Sequence, residues 1–461
     1  MGFQSLSFLL FLAVSVPACL LAGRKNPAAG KTCLLLASLA FDLMQGKGLI
    51  ELLLGVLVTA LAVRYLTSGK SESGRKKVMF LACAYHVAVL AVFKYAHVGW
   101  MPVGLSFFTF QQLWLVKEVY TRQFRPDTTE DLLLHALFFP AVTSGHILRP
   151  GRFFPQLKSE TFLHPTEREI AAGLYAICLG TAKKVLLADQ LGIMVSNGWA
   201  AVGSLSAPAA WATMLAYTLQ LYLDFSGYCD IAAGCGRLLG LRLPVNFNSP
   251  YRSLSVGEFW KRWHITLTTF LRECVYIPLG GSRKGTVRTC VHIMIVFLIS
   301  GIWHGTGWTF VVWGALHGLA QVDERLWGAR LDRLPKALRW ALTMFFINFA
   351  WVFFRAPDMT SAVALLSASV TCGGTVGLST LSTGVLESEM NALTTILPVL
   401  TGPMTCLLPA ALLAVGGVVA LWPRNTIQKM EDFRPTVLSA VVLAGLMLWA
   451  VLSFSGVTTF I

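Results

Sequence analysis

"FLISGIWHGTGWTFVVWGALHG" (residues 297–318) is long and apolar enough to cross a bilayer, yet it contains two histidines, three tryptophans and five glycines. A membrane-spanning helix needs about 20 predominantly apolar residues. Ionisable groups within such a span are expensive, and they tend to mark pathways or reaction centres. Whether His304 and His317 are polar packing in an ordinary helix or part of a buried reaction centre depends on the rest of the chain.

Hydrophobic residues make up 55% of the 461 and charged residues 13%, and the mean hydropathy is +0.64. Soluble domains carry roughly 25% charged residues, so this chain cannot dress a water-facing surface of its size. Length alone would suggest about three soluble domains. Composition instead predicts one all-α polytopic membrane protein over residues 1–461, with the bilayer as its solvent.

The net charge of +14 does not point to nucleic acid, because the basic residues gather in short loops between apolar runs, as the positive-inside rule distributes them. Arg24, Lys25 and Lys31 form one such loop, and Arg64, Lys70, Arg75, Lys76 and Lys77 another, with Lys47 alone between them. These two loops are expected to be cytoplasmic and the N-terminus extracytoplasmic. The first span lacks a basic leader, so a cleaved signal peptide is not expected. The cysteines sit mainly in apolar runs without CxxC pairing and read as small buried hydrophobes.

Twelve candidate spans can be marked, near 3–22, 32–46, 48–67, 78–99, 102–120, 169–187, 207–225, 288–303, 306–323, 337–354, 406–422 and 436–454. Two stretches resist this reading: "FFPAVTSGHILRPGRFFPQL" (138–157) and "LRLPVNFNSPYRS" (241–253) mix Pro, Gly and charge into apolar surroundings. Irregular backbone at membrane depth persists only where protein buries it or a wet cavity adjoins it. Residues 373–389 read as a loop with in-plane elements, and no internal repeat is visible. Polar groups are densest within residues 220–320, where the chemistry is expected.

In "SVGEFWKRWHITLTTFLRECVYIPLGGSRKG" (255–285), Trp260, Trp263, Leu267, Phe270 and Leu271 follow helical spacing. This predicts an amphipathic helix at the interface, with His264 on its buried stripe. A lone histidine on an apolar face is usually a satisfied core residue. His304 differs because it lies within a membrane-length span and is flanked by Gly301, Gly305 and Gly307, which permit close approach of a ligand or another backbone. His317 lies thirteen residues further on. At about 100° per residue it would face nearly away from His304 on one continuous helix, so a second histidine must come from elsewhere, and His264 is the candidate. Burial disfavours the imidazolium, and a neutral histidine can take the proton of a hydroxyl attacking an acyl carbonyl. No HxxxH or HExxH spacing supports a metal, and none is expected. Asp224 and Asp230, six residues apart, fall on different helical faces, which argues against a paired-carboxylate site; Arg237 is expected to pair with one of these acids. GxSxG, Walker and GxGxxG motifs are absent.

Taken in order, "LDFSGYCDIAAGCGRLLGLRLPVNFNSPY", "FWKRWHITLTTFLRECVYIPLGGSR" and "SGIWHGTGWTFVVWGALHG" resemble the membrane-bound O-acyltransferase (MBOAT) family. Within it, the chain is similar to the bacterial branch that serves alginate and peptidoglycan O-acetylation and D-alanyl transfer to teichoic acid. "MPVGLSFFTFQQLWLVKEVY" and "WALTMFFINFAWVFFRAP" extend the likeness to Pro357. The resemblance implies a ring of helices, with re-entrant and interfacial pieces, around a tunnel joining the two sides of a bacterial inner membrane. A catalytic core near 100–357 and C-terminal spans near 390–461 follow from it. It makes His304 the main catalytic residue and His264 the second, and His317 falls where the alginate type also has a histidine. His317, Trp303, Asp224, Asn248, Glu273 and His146 are the supporting candidates. The chain departs from the family pattern at Arg272-Glu273-Cys274, where Arg-Asp-Tyr is expected, and at Gly145-His146-Ile147, where Gly-Pro-Ile is expected.

The activity so implied moves an acyl group, foremost acetyl, from a cytoplasmic thioester such as acetyl-CoA toward hydroxyls of an extracytoplasmic polysaccharide. Lys261, Arg262, Arg283 and Lys284 are candidates to hold the donor's phosphates. No bound cofactor is expected, and a periplasmic SGNH-hydrolase-like protein is the implied partner. Two rival readings stand beside it: transfer of D-alanyl or another acyl group to teichoic acid, peptidoglycan, lipid or protein, and a transporter or scaffold whose histidines are structural.

Overall fold

A chain in hydrocarbon must satisfy its own backbone N–H and C=O groups, and the apolar runs do so as helices. The computed structural model describes residues 2–454 apart from Gln4, His97 and Cys372. The C-terminal segment expected to reach residue 461 is therefore described as far as Phe454, and its last seven residues lie outside the described ones. Helices of six or more residues are α1 (Leu6–Lys25), α2 (Pro27–Met44), α3 (Leu49–Leu66), α4 (Glu72–Tyr95), α5 (Leu105–Tyr120) and α6 (Thr129–Leu137). Then come α7 (Glu167–Ala182), a π-helical turn (Lys183–Ala188), α8 (Asp189–Ala200) and α9 (Ala207–Leu238). Two short helices, α10 (Val256–Arg262) and α11 (Ile265–Leu271), lead into a second π-helical turn (Arg272–Tyr276). The remainder are α12 (Thr286–His304), α13 (Trp308–Leu331), α14 (Lys336–Arg355), α15 (Met359–Val370), α16 (Glu387–Ile396), α17 (Thr401–Leu421), α18 (Thr426–Glu431) and α19 (Val437–Leu452). Among the described residues no strand forms, and one parallel bridge joins Leu205 to Val376.

Eight helices among the described residues are long and apolar enough to cross a membrane: α1, α2, α3, α4, the continuous Glu167–Ala200, α12, α14 and α17. This corrects the twelve spans expected. α5 is only 16 residues long and is sheathed by protein, so it can carry buried Gln111, Gln112 and Glu118. α9 is 32 residues long rather than the expected 19 or so, and 25 of the 32 are buried. α13 gathers Asp323, Glu324 and Arg325 in its second half, and α19 has 16 residues.

α9 is the axis of the molecule, packing against α7, α8, α14, α15 and α17. It meets α7 through glycines: a Cβ on Gly180 would lie 2.6 Å from the Gly227 carbonyl oxygen, and one on Gly227 would lie 2.9 Å from that of Gly180. Small residues that let backbones touch are a common basis of helix association in lipid. The expected pairing of Arg237 with Asp224 or Asp230 does not form. The π turn of α7 turns Lys183 to Asp230 and Lys184 to Asp224 (2.8 Å), while Arg237, nearer the end of α9, reaches Glu431 and Glu169.

Residues 297–318 are not one span. α12 ends at His304, Gly305–Gly307 turn the chain, and α13 returns against α12. The two helices touch where glycines face each other: a Cβ on Gly301 would sit 2.4 Å from the Phe310 carbonyl oxygen, and one on Gly314 would sit 2.5 Å from that of Phe297. Gly301 thus serves the approach of another backbone. The interfacial helix expected to run on from Trp260 is also interrupted. His264 takes a left-handed conformation (φ 43°, ψ 54°) between α10 and α11.

Overpacking a tight contact costs about 1–3 kcal/mol. Gly314→Leu should therefore lower the thermal unfolding temperature of the purified protein, with Gly314→Ala intermediate. Leu substituted at Gly417, beside which a Cβ meets nothing within 4 Å, should leave it unchanged.

Candidate active site

The backbone break at His264 leaves buried amide groups without helical partners, and residues 246–248 take them up. Ile265 N–H donates to the Asn246 carbonyl (3.0 Å), and Asn248 N–H donates to that of Arg262 (2.9 Å). The Asn246 side chain completes the junction. Its Oδ1 accepts from Thr266 N–H (3.1 Å), from the Thr266 hydroxyl (2.9 Å) and from His264 Nδ1 (3.1 Å), while its Nδ2 donates to the Gly145 carbonyl (2.7 Å). The backbone donor at Thr266 identifies Oδ1 as the amide oxygen, so His264 meets it with a proton on Nδ1. The lone pair of neutral His264 is then on Nε2, which is buried and has no hydrogen-bond partner among the described residues. A non-glycine residue in the left-handed region stores strain of the kind that clusters at functional sites.

His264 and His304 line one cavity of about 560 Å³, together with Lys94, Asp224, Trp303 and Arg355. His304 is the last residue of α12. Its ring stands edge-on to Trp303 (4.6 Å between centroids), Phe354 (4.9 Å) and Trp313 (5.2 Å). Phe225 stands perpendicular to the His264 ring at 4.8 Å. Lys94 donates to the Trp303 carbonyl, and Asp224 is held by buried Lys184. The pair expected between His264 and an α12 histidine is thus assembled around a single space from two elements far apart in sequence.

A second cavity, of about 580 Å³, lies on the other side of the same junction. It is lined by Ile265, Thr266, Ile147 and three arginines, Arg149, Arg152 and Arg242. The two cavities approach from opposite ends of α5. Ser106, at its start, lines the first, whereas Arg149 of the second is bound at 2.7 Å to Glu118, near its end, about 18 Å along the axis. The Glu118 end is also the basic-loop end, where Arg75 donates to the Tyr120 carbonyl. Trp263 and His264 line the first cavity and Ile265 and Thr266 the second, so one short segment contributes to both.

The other candidates separate. His317 is fully buried, accepts a hydrogen bond from Trp260 Nε1–H (3.1 Å) and lies behind Trp313, so it does not line the cavity. Asn248 accepts from Gln428 (3.0 Å) and ties the junction to α18. Glu273 bridges Arg149 (3.1 Å) and Lys117 (3.8 Å). His146 is buried between Ser144 of one cavity and Ile147 of the other. None of the four basic residues assigned to the donor lines either cavity. Arg262 is committed to Glu258 at 2.8 Å, and Lys261, Arg283 and Lys284 are exposed. Sequence reasoning missed Arg149, Arg152, Arg242, Lys94 and Arg355, and did not single out Asn246. Arg149, Arg152, Arg242 and Asn246 do fall in the two stretches whose polar content resists simple spanning.

The family model of MBOAT, membrane-bound O-acyltransferase family, matches residues 131–362. The chain is 36% identical to the peptidoglycan O-acetyltransferase of Helicobacter pylori over 412 residues, covering 79% of this chain and 77% of that one. It is 34% identical to the probable alginate O-acetylase AlgI of Pseudomonas aeruginosa over 403 residues, covering 81% and 75%. A teichoic acid D-alanyltransferase of Streptococcus thermophilus is 28% identical over 238 residues, covering 49% and 57%. The chain belongs to the membrane-bound O-acyltransferase family. It is a multi-pass membrane enzyme of acyl transfer, and the transporter and scaffold readings fall away.

If Asn246 acts on the reaction through His264, Asn246→Ala should slow acyl transfer by about 10²-fold, within the range of a lost acid–base group. The double variant Asn246→Ala/His264→Ala should then be no slower than His264→Ala alone, because coupled residues are not additive. Transfer rates in membranes containing matched amounts of protein check this.

Proposed function

We propose that the chain is an O-acetyltransferase of a bacterial inner membrane. It takes acetyl from a cytoplasmic thioester such as acetyl-CoA and delivers it to a hydroxyl on the opposite side, toward O-acetylation of an extracytoplasmic polysaccharide. The observation that carries this reading is the pair of cavities meeting at Trp263–Thr266, with a histidine-lined space on one side and an arginine-lined space on the other. The names of the similar proteins from Helicobacter pylori and Pseudomonas aeruginosa, which act on peptidoglycan and alginate, support acetyl and a polysaccharide.

In this reading the donor enters from the basic-loop face. Arg149, Arg152 and Arg242 offer guanidinium groups suited to phosphate oxygens, and they replace the four basic residues first considered. The thioester reaches past Thr266 to the histidines. His304 takes the proton of the incoming hydroxyl while its oxygen bonds to the acyl carbon. The carbon–sulfur bond then breaks, and the proton passes to the departing sulfur. His264, fixed by Asn246, orients or shares that proton through Nε2. Aromatic rings around His304 limit water, the competing nucleophile. A periplasmic SGNH-like protein is the direct acceptor in this scheme, its serine hydroxyl entering the cavity by Lys94 and Arg355.

His304→Ala in the native host should abolish acetylation of the exported polysaccharide while the protein remains expressed and membrane-inserted. Unchanged acetylation would overturn the mechanism. Arg152 has no ion-pair partner among the described residues, and loss of one charge-assisted contact is worth about 1.5–3 kcal/mol. Arg152→Ala should accordingly raise the KM for acetyl-CoA about tenfold or more with little change in kcat, and initial rates across donor concentrations test it.

A further inference from the structure

Away from both cavities, a third one of about 650 Å³ opens between the π turn of α7, α17 and α19. Leu408, Leu412, Val415 and Val419 line it from α17, at spacings that form one stripe of that helix. From Leu408 to Trp422 the groove follows fourteen residues, about 21 Å of helix. One leaflet supplies roughly half of a 30 Å hydrocarbon core, so the groove is long enough to take a lipid chain.

One end of this apolar groove closes on cations: Lys183, Arg424 and Lys429 all line it. Lys183 is paired with Asp230, and Arg424 with Asp432. Lys429 has no carboxylate within ion-pair distance among the described residues, and its ammonium lies over the Trp422 ring at 5.0 Å. Burial first, and then repulsion from Arg424 and Lys183, holds Lys429 below the ordinary lysine value. The cluster is short of negative charge. Its end of the molecule is the basic-loop face: Leu163, packed on Gly23 and Gly30 at the first basic loop, donates its N–H to the carbonyl of Leu239, two residues past Arg237. α18, which carries Lys429, is tied there by Glu431 to Arg237 and Arg168, and by Asn425 to the Phe247 carbonyl.

We propose that this groove is a binding site for a phospholipid with an anionic headgroup, drawn from the leaflet on the basic-loop face. Its phosphate sits at Lys429 and Arg424, and one acyl chain lies along the α17 stripe. Charge complementarity selects this occupant over a zwitterionic lipid, since juxtamembrane Lys and Arg favour anionic lipids. The site adjoins the chemistry without belonging to it. Lys183 lines the groove, and its neighbour Lys184 holds Asp224 in the histidine cavity, so a bound lipid braces the π turn behind the reaction centre.

The test uses the full chain purified in detergent and a phosphatidylglycerol bearing a photoreactive group in its acyl chain. Expected is labelling concentrated in peptides of α17 and α19, competed by unlabelled phosphatidylglycerol but not by phosphatidylcholine. Lys429→Ala should weaken it about fivefold, the contribution of one lysine beside an anionic lipid surface. A second variant, Val415→Trp, fills the groove without touching the cations and should abolish labelling there. Labelling spread evenly over all lipid-facing helices, equal competition by phosphatidylcholine, or no change in either variant would overturn the proposal. Competition by inorganic phosphate alone at constant ionic strength would also overturn it, by assigning the cations to a free anion.

Discussion

The hydrogen-bonded junction between residues 246–248 and 262–266 is what the site depends on. A chain that leaves the helical path inside a membrane exposes amides that neither lipid nor water can satisfy, and each unpaired buried group costs about 1–3 kcal/mol. Here the exposed groups of one irregular segment are matched by those of another. The Asn246 amide makes five hydrogen bonds, to four partner residues, Gly145, Cys229, His264 and Thr266. The left-handed backbone at His264 survives because this network over-determines it. The same junction contributes residues to both cavities, with the strained residue lining the one that His304 shares.

The aromatic packing around the α12–α13 hairpin follows a related logic. Gly301 and Gly314 bring the two backbones together, which places His304 at the end of one helix and Trp313 on the facing helix. Trp313 then separates His304 from His317: its ring lies 5.2 Å from the first and 5.0 Å from the second. One histidine is left facing the cavity, and the other is spent on a hydrogen bond with Trp260. Two residues that look alike in the sequence are sorted by a single indole.

Buried charge is handled by pairing along α7 and α9. The π turn inserts a residue into the helical repeat, and consecutive lysines reach acids six positions apart on the neighbouring helix. A regular helix would point two adjacent lysines about 100° apart and at nearly the same level. A buried pair is weak support for stability in itself. Its effect here is positional, since it fixes Asp224 in the wall of the histidine cavity.

Much of this was legible in the residues. Low charge and long apolar runs dictate helices in a membrane, because no other open structure satisfies a backbone there. The motifs around His264 and His304 carried the family, and the thirteen-position offset from His304 to His317 ruled out a pair on one helix. The break at His264 was not legible, because Trp260, Trp263 and Leu267 keep helical spacing through it and periodicity cannot register one left-handed residue. Nor could the cavity-lining arginines Arg149, Arg152 and Arg242 be told from the exposed basic turn at Arg283 and Lys284, since charge in a sequence has no direction. Composition and apolar run length determined a helical membrane protein, and the resemblance of its motifs to a known family, not spacing, implied acyl transfer with two candidate histidines. Only the tertiary structure decided which groups share a cavity, because that rests on contacts such as Asn246 with Gly145, 101 positions away in the chain.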